Sequence, residues 1–189
     1  YANIKKIISK DIDLDIIVVG SDGNKSRAVC EEFSFRYIEH ENQPLTGKWQ
    51  AGIDFAEKID FDALVIMGSD DFVEPSIFYT YKNMLENNVL FFGFLDLYLF
   101  DYKTETAAYW RGYGSASGGL NQPARVGETI GLGRMLSRTL LTFLNFDLWR
   151  GVNANKGLDG LMKKRVQSAT GMLPVAIGDS LQVNLEGET

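Results

Sequence analysis

The chain has 189 residues and a mass of 21.1 kDa, enough to bury one sizeable core without disulfides or metals, and its 45% hydrophobic, 23% charged and 12% aromatic composition belongs to a folded chain. One cysteine, Cys30, excludes an internal disulfide, and one histidine, His40, excludes HExxH zinc sites, Cys2His2 fingers and three-histidine metal centres. A serine–histidine triad survives only through His40, with no G-x-S-x-G elbow beside it, so catalysis is expected from carboxylates, lysines or arginines. A formal charge of −6 argues against nonspecific nucleic-acid binding, and no nucleic-acid partner is expected.

In chain order, Leu14 to Val19 is a β-branched run closed by Gly20-Ser21-Asp22-Gly23, which predicts a buried strand and a tight turn. Asn24 or Ser26 then caps a helix to about Phe33, and Phe35 to Glu39 returns as a strand. Lys48 to Ile59 sets Trp49, Ile53 and Ala56 on one helical face. Ala63 to Met67 is the next buried strand, closed by Gly68-Ser69-Asp70-Asp71, and Pro75 opens a helix carrying Ile77, Phe78, Tyr81, Met84 and Leu85 at helical spacing. Val89 to Tyr102 and Ala107 to Tyr113 read as strands joined by Lys103 to Glu105, a hairpin or mixed part of the sheet, and Gly112 to Gly119 as a loop. Ser137 to Leu144 and Leu158 to Val166 read as helices, and Pro174 to Ile177 as a strand. The alternation predicts an α/β class with a mostly parallel central sheet flanked by helices, and functional loops at the carboxyl ends of its strands. The chain reads as a single domain over residues 1–189. No run is long enough for a membrane helix, since the most apolar stretch, Val89 to Phe100, is short and contains Asp96. Nothing resembles a signal peptide, and the chain reads as cytoplasmic.

Charge is unevenly spread: residues 1–102 carry a net −9, residues 103–165 a net +6, and the tail three acids and no base. Such asymmetry fits an acidic half that holds a cation and a basic half that meets an anion, or a chance cluster of solvated charges. Gly20-Ser-Asp-Gly-Asn-Lys-Ser26 invites a phosphate-loop reading but has two residues between its glycines and Asn24 before Lys25, so the ring of amides that wraps a phosphate is not encoded. Gly131-Leu-Gly133 lacks the third glycine of a dinucleotide fingerprint and reads as backbone bending closely around a neighbour or ligand. The strongest chemical feature is Gly68-Ser69-Asp70-Asp71, where two adjacent carboxylates after a buried strand offer oxygens to a hard cation such as Mg2+ or Mn2+, or else cap the turn. Tyr109, Trp110 and Tyr113 form either a sugar-stacking platform or hairpin packing. Trp149 reads as core.

The run Asn42-Gln-Pro-Leu-Thr-Gly-Lys-Trp-Gln-Ala-Gly52, followed by Ala63-Leu-Val-Ile-Met-Gly-Ser-Asp-Asp71, resembles the central part of GT-A nucleotide-sugar glycosyltransferases, especially family 2-like members. Gly131 to Arg138 and Lys156 to Arg165 resemble the acceptor-side segment and the helix that begins with Glu-Asp. Position 68 is glycine where the family's Asp-x-Asp has its first aspartate, position 158 is leucine where glutamate is common, and the family's first strand would lie upstream of Tyr1. The resemblance implies a GT-A-like fold and transfer of a sugar from a nucleoside diphosphate donor, UDP foremost, to a carbohydrate or other hydroxyl acceptor, with inversion. It implies Asp22, Lys48, Ser69, Asp70, Arg134 and Arg138 as donor-binding residues and Asp70, aided by Asp71, as ligands of Mn2+ or Mg2+. Asp159, at a helix start, would take the acceptor's proton. From their place ahead of the glycine loop, Trp110 and Tyr113 read as acceptor-side or loop residues. Two alternatives stand beside it: a nucleotidyltransferase of similar layering, and a catalytically silent module that binds nucleotide or sugar. The oligomeric state is not readable.

Overall fold

A computed structural model describes residues 1–101, 103–113, 125 and 128–178. The chain is of mixed α/β class and forms two compact units, one from Tyr1–Leu64 with Arg138–Leu173, the other from Val65–Ser137 with the stretch from Pro174 onward. Among the described residues no helix is long and apolar enough to cross a membrane.

The first unit begins with α1 (Ala2–Ile8) and then alternates β1 (Ile17–Gly20), α2 (Asn24–Glu32), β2 (Arg36–Glu39) and α3 (Leu45–Ala56). β1 and β2 pair in parallel, Ile17 opposite Arg36 through Gly20 opposite Glu39. The predicted strand at 14–19 starts later because Asp15 uses its carboxylate locally, accepting the Ile16 N–H at 3.0 Å and pairing with Arg36 at 2.5 Å. Neither Asn24 nor Ser26 caps α2. Gly23 is the N-cap at φ 58°, a conformation that glycine adopts without strain, and Asn24 opens the helix. α3 starts three residues before Lys48 because its first amides find distant acceptors: Leu45 N–H donates to Asn155 Oδ1 at 2.8 Å and Thr46 N–H to the Ala154 carbonyl at 3.1 Å.

The chain returns to this unit with α5 (Arg138–Phe143) and α6 (Leu158–Thr170). Gln50, 5% exposed, ties α3 to the segment between them. Its Nε2 donates to the Phe146 carbonyl, and its Oε1 accepts the Leu148 and Trp149 amides. Trp149 is core, as its place in the sequence suggests, and donates its indole N–H to the Leu158 carbonyl at 3.0 Å.

The second unit is built on a four-stranded sheet in the order β3 (Ala63–Ile66), β7 (Arg134–Ser137), β4 (Phe91–Phe94), β8 (Val175–Ile177). β4 pairs antiparallel with β7 and parallel with β8. Bonds from Gly133 N–H to the Ile66 carbonyl and from Arg138 N–H to the Asp62 carbonyl show that β7 also runs opposite to β3. The carboxyl ends of β3, β4 and β8 and the amino end of β7 therefore lie along one edge of this sheet. α4 (Ser76–Glu86) supplies Tyr81, whose ring meets Phe78, Phe92 and Phe94 edge-on at 5.8–5.9 Å, and whose hydroxyl donates to the Gly133 carbonyl at 2.8 Å.

The neighbour around which Gly131-Leu-Gly133 bends is this tyrosine: Gly133 has φ +69°, and a Cβ there would lie 2.6 Å from the Tyr81 hydroxyl. The predicted strand from Val89 is broken at Leu95 and Asp96, and its second half, β5 (Leu97–Asp101), forms an antiparallel hairpin with β6 (Thr106–Trp110). In place of one mostly parallel sheet, the described strands form a parallel pair, this mixed sheet and the hairpin. β7 is a strand in place of the lead-in to a helix at 137, because Met135 and Leu136 are wholly buried between β3 and β4.

Candidate functional site

In the first unit, the carboxyl ends of β1 and β2 carry Ser21, Asp22 and, beyond β2, Asn42. Lys48, in the first turns of α3, reaches both loops, with Nζ donating to Ser21 Oγ at 3.1 Å and to Asn42 Oδ1 at 3.0 Å. Both partners are neutral oxygens, so the ammonium charge is not cancelled by a carboxylate among these contacts. Asp22 is exposed on the same turn. The bond network at the start of α3 also brings in the connection ahead of α6, since Thr46 Oγ1 donates to the Val152 carbonyl at 2.6 Å. Asp159 follows as the second residue of α6; its N-cap is Gly157 at φ 69°, so Asp159 is not the cap. Its carboxylate sits in the first turn, where the positive end of the helix dipole attracts it.

A shallow depression lined by Lys5, Asp13, Asp15, Ser34, Phe35 and Arg36 opens at the opposite, amino ends of β1 and β2. Its acids and bases neutralise one another, and the Asp15–Arg36 pair is part of its wall.

In the second unit, β3 ends at Ile66 and the chain turns through Met67–Asp71. Asp71 Oδ2 accepts the Gly68 N–H at 2.6 Å, and a Cβ built on Gly68 would stand 2.8 Å from Asp70 Oδ1 and 2.9 Å from Asp71 Oδ2. Two carboxylate oxygens thus converge on the space that the missing side chain leaves. Burial pushes the Asp71 carboxyl above the usual carboxylate range, the Gly68 amide pulls it back, and the neighbouring Asp70 charge raises it further. Asp70 and Ser69 are exposed. No group of three or more histidine, cysteine, aspartate or glutamate side chains able to hold a metal occurs among the described residues. A hard cation here would have two protein carboxylates at most, which suits an ion that completes its shell with water and phosphate oxygens.

The two arginines expected beside a phosphate have structural partners. Arg134 is 1% exposed, and its guanidinium donates to the Ile130 and Thr129 carbonyls at 2.7 Å each. Arg138 donates to the Ile59 carbonyl at 2.5 Å and lies 4.8 Å over the Phe61 ring. Arg134 thus holds backbone carbonyls and Arg138 a backbone carbonyl and ring faces, and neither is assigned to a donor site.

Trp110 and Tyr113 do come together, edge to face with centroids 4.9 Å apart, and Arg125 stacks 3.3 Å over the Tyr113 ring while pairing with Glu128 at 2.6 Å. Of the predicted loop at 112–119, residues 114–119 lie outside the described residues. Sequence reasoning missed Asp96 as a site residue. It is 3% exposed and accepts the Tyr109 hydroxyl at 2.8 Å, at the carboxyl end of β4. The available signal was a lone carboxylate in the most apolar run of the chain, which is retained when it has a fixed partner.

No protein-family model matches the chain, and no curated protein is significantly similar to it.

Proposed function

We propose that the chain transfers a sugar from a nucleoside diphosphate donor to a hydroxyl acceptor. The observation that carries this reading is the convergence of Asp70 Oδ1 and Asp71 Oδ2 on Gly68 at the carboxyl end of β3. In layered α/β sheets ligands bind beyond that end of the strands. The motif order described above, which resembles GT-A enzymes, supplies the reaction class. Asp70 and Asp71 would hold Mn2+ or Mg2+, which, when bound, offsets the charge gathering on a leaving diphosphate.

The chain's own groups do the rest in this reading. Lys48, whose Nζ donates to the neutral Ser21 and Asn42 oxygens, meets the donor's base or phosphate. The exposed Asp22 accepts hydrogen bonds from the nucleoside, and Ser69 flanks the diphosphate. Asp159 accepts the proton of the acceptor hydroxyl as that oxygen bonds to the anomeric carbon and the bond to the diphosphate breaks, which inverts the centre. In this reading the mixed α/β chain is a variant of the GT-A-like fold, its described strands divided among three sheets.

Calorimetry of the full chain with UDP, with and without Mn2+, tests the reading. The expected result is binding that requires Mn2+ and is lost in Asp70→Asn. Absence of UDP binding under both conditions overturns the reading. Metal-dependent binding with no release of UDP from any UDP-sugar reassigns the chain to a silent nucleotide-binding module.

A further inference from the structure

We propose that the open edge of β6 pairs with β6 of a second copy of this chain, about a two-fold axis at Ala108, so that two hairpins join into one four-stranded antiparallel sheet. Among the described residues β6 pairs with β5 alone, which leaves alternate amides and carbonyls of Thr106–Trp110 facing outward along its other edge. The base of the hairpin is tied down: the Tyr109 hydroxyl donates to buried Asp96 at 2.8 Å, and Gly112 lies against the Leu95 carbonyl. Beyond that base the ribbon is exposed on both faces. Leu99 is 57% and Phe100 66% exposed although consecutive strand residues point to opposite sides, and Thr106, Ala107 and Ala108 are exposed beside them. A two-stranded ribbon is marginal in water by itself, and β6 holds no proline or charge that would block pairing along its edge.

The residues of this edge select a second copy. A two-fold axis that sets two strands antiparallel stands perpendicular to the sheet and keeps like faces together, so it passes through a residue, and the middle of β6 offers Ala107, Ala108 or Tyr109. An axis at Ala107 would set Arg111 opposite Lys103 of the second copy, two like charges. An axis at Tyr109 would set Glu105 opposite Tyr113. At Ala108, Glu105 stands opposite Arg111 of the second copy, and symmetry makes that ion pair twice. Both residues are exposed, and among the described residues neither takes part in another ion pair. The same register sets small residues against large ones, Thr106 opposite Trp110 and Ala107 opposite Tyr109, with Ala108 opposite itself on the axis. Phe100 is the neighbour of Ala107 within the hairpin, so its exposed ring has room over that alanine to meet the second copy's Tyr109. An edge of 5 residues is small for an interface, which makes this a concentration-dependent dimer.

The test is sedimentation equilibrium of the full chain from about 10 μM to about 1 mM. The expected mass rises from 21.1 kDa toward twice that value. Arg111→Glu and Glu105→Arg each set like charges opposite one another at both symmetric positions, so each weakens association about tenfold or more, and the double variant carrying both substitutions recovers it. Circular dichroism should be unchanged in all three, since both side chains are exposed. Register is read with oxidised glutathione: Ala108→Cys forms a covalent dimer, because the two thiols face each other across the axis, whereas Ala107→Cys, set two residues from its mate, does not. Cys30 is buried and does not compete. A monomer at every concentration overturns the pairing and leaves the edge to a strand of another protein. A dimer unchanged by both reversals, a double variant that fails to recover association, or crosslinking at 107 equal to that at 108 overturns it as well, because the copies would then meet elsewhere.

Discussion

At Gly68 the absent side chain makes room for two carboxylate oxygens that a Cβ would approach within 2.8 and 2.9 Å. Those oxygens end short, flexible side chains, so Gly68→Ala can be accommodated by turning them aside. The variant is expected to keep its folding stability within about 1 kcal/mol in urea denaturation. Calorimetry should show its Mn2+-dependent UDP binding weakened by about tenfold or more. Asp71 carries a second prediction. Its folded-state pKa lies above the unfolded value, chiefly through burial, so the folded protein holds its proton to higher pH than the unfolded chain does. The stabilising contribution is then present below the unfolded value and is lost as pH rises through the folded one. In chelator-containing buffer, stability measured by denaturant titration should fall across that window, and Asp71→Asn should flatten the fall; an unchanged slope would show that the carboxyl is not held in this way. The sequence made Asp70 and Asp71 visible as a pair on a turn. It could not show that Gly68 matters to them, because side-chain direction across a turn depends on backbone angles that the residue types leave open.

α3, α4 and α6 are legible in the sequence because apolar spacing at the helical period needs only local information, and their buried residues include Ile53, Tyr81 and Met162. Their ends are less legible, as at Leu45, where the cap comes from Ala154 and Asn155, more than a hundred residues away. Gln50 is the strongest case of such remote pairing. Gln50→Leu would leave the Leu148 and Trp149 amides and the Phe146 carbonyl without their partner, and a loss of about 3 kcal/mol in urea denaturation is expected. Gly112→Ala tests the hairpin attachment. Both the positive φ and the approach to the Leu95 carbonyl oppose a side chain, so about 2 kcal/mol or more of stability should be lost. The hairpin itself was readable from its polar turn between apolar runs, whereas the break at Leu95 and Asp96 was not, since nothing in an unbroken apolar stretch marks where a strand leaves its sheet.

The proposed roles fall on Asp22, Lys48 and Asp159 in the first unit and on Ser69, Asp70 and Asp71 in the second. Asp159→Asn should abolish turnover with a UDP-sugar while leaving calorimetric UDP binding intact; full activity in that variant would remove Asp159 from the chemistry. The sequence by itself determined the α/β alternation, the polar turns after β1 and β3, and the exclusion of internal disulfides and multi-histidine metal centres that one cysteine and one histidine impose. The uneven charge was equally legible, but its meaning was not. Of the basic residues in the 103–165 stretch, Arg134 and Arg138 turned out to hold backbone carbonyls, and Arg125 a tyrosine ring. Only the tertiary structure decided which strands pair, because a strand's hydrogen-bonding groups are the same whatever its partner: β4 lies between β7 and β8, drawn from segments some forty and eighty residues downstream. That pairing fixes which turns share an edge, and so it sets the turns that follow β3 and β4 at the same end of one sheet.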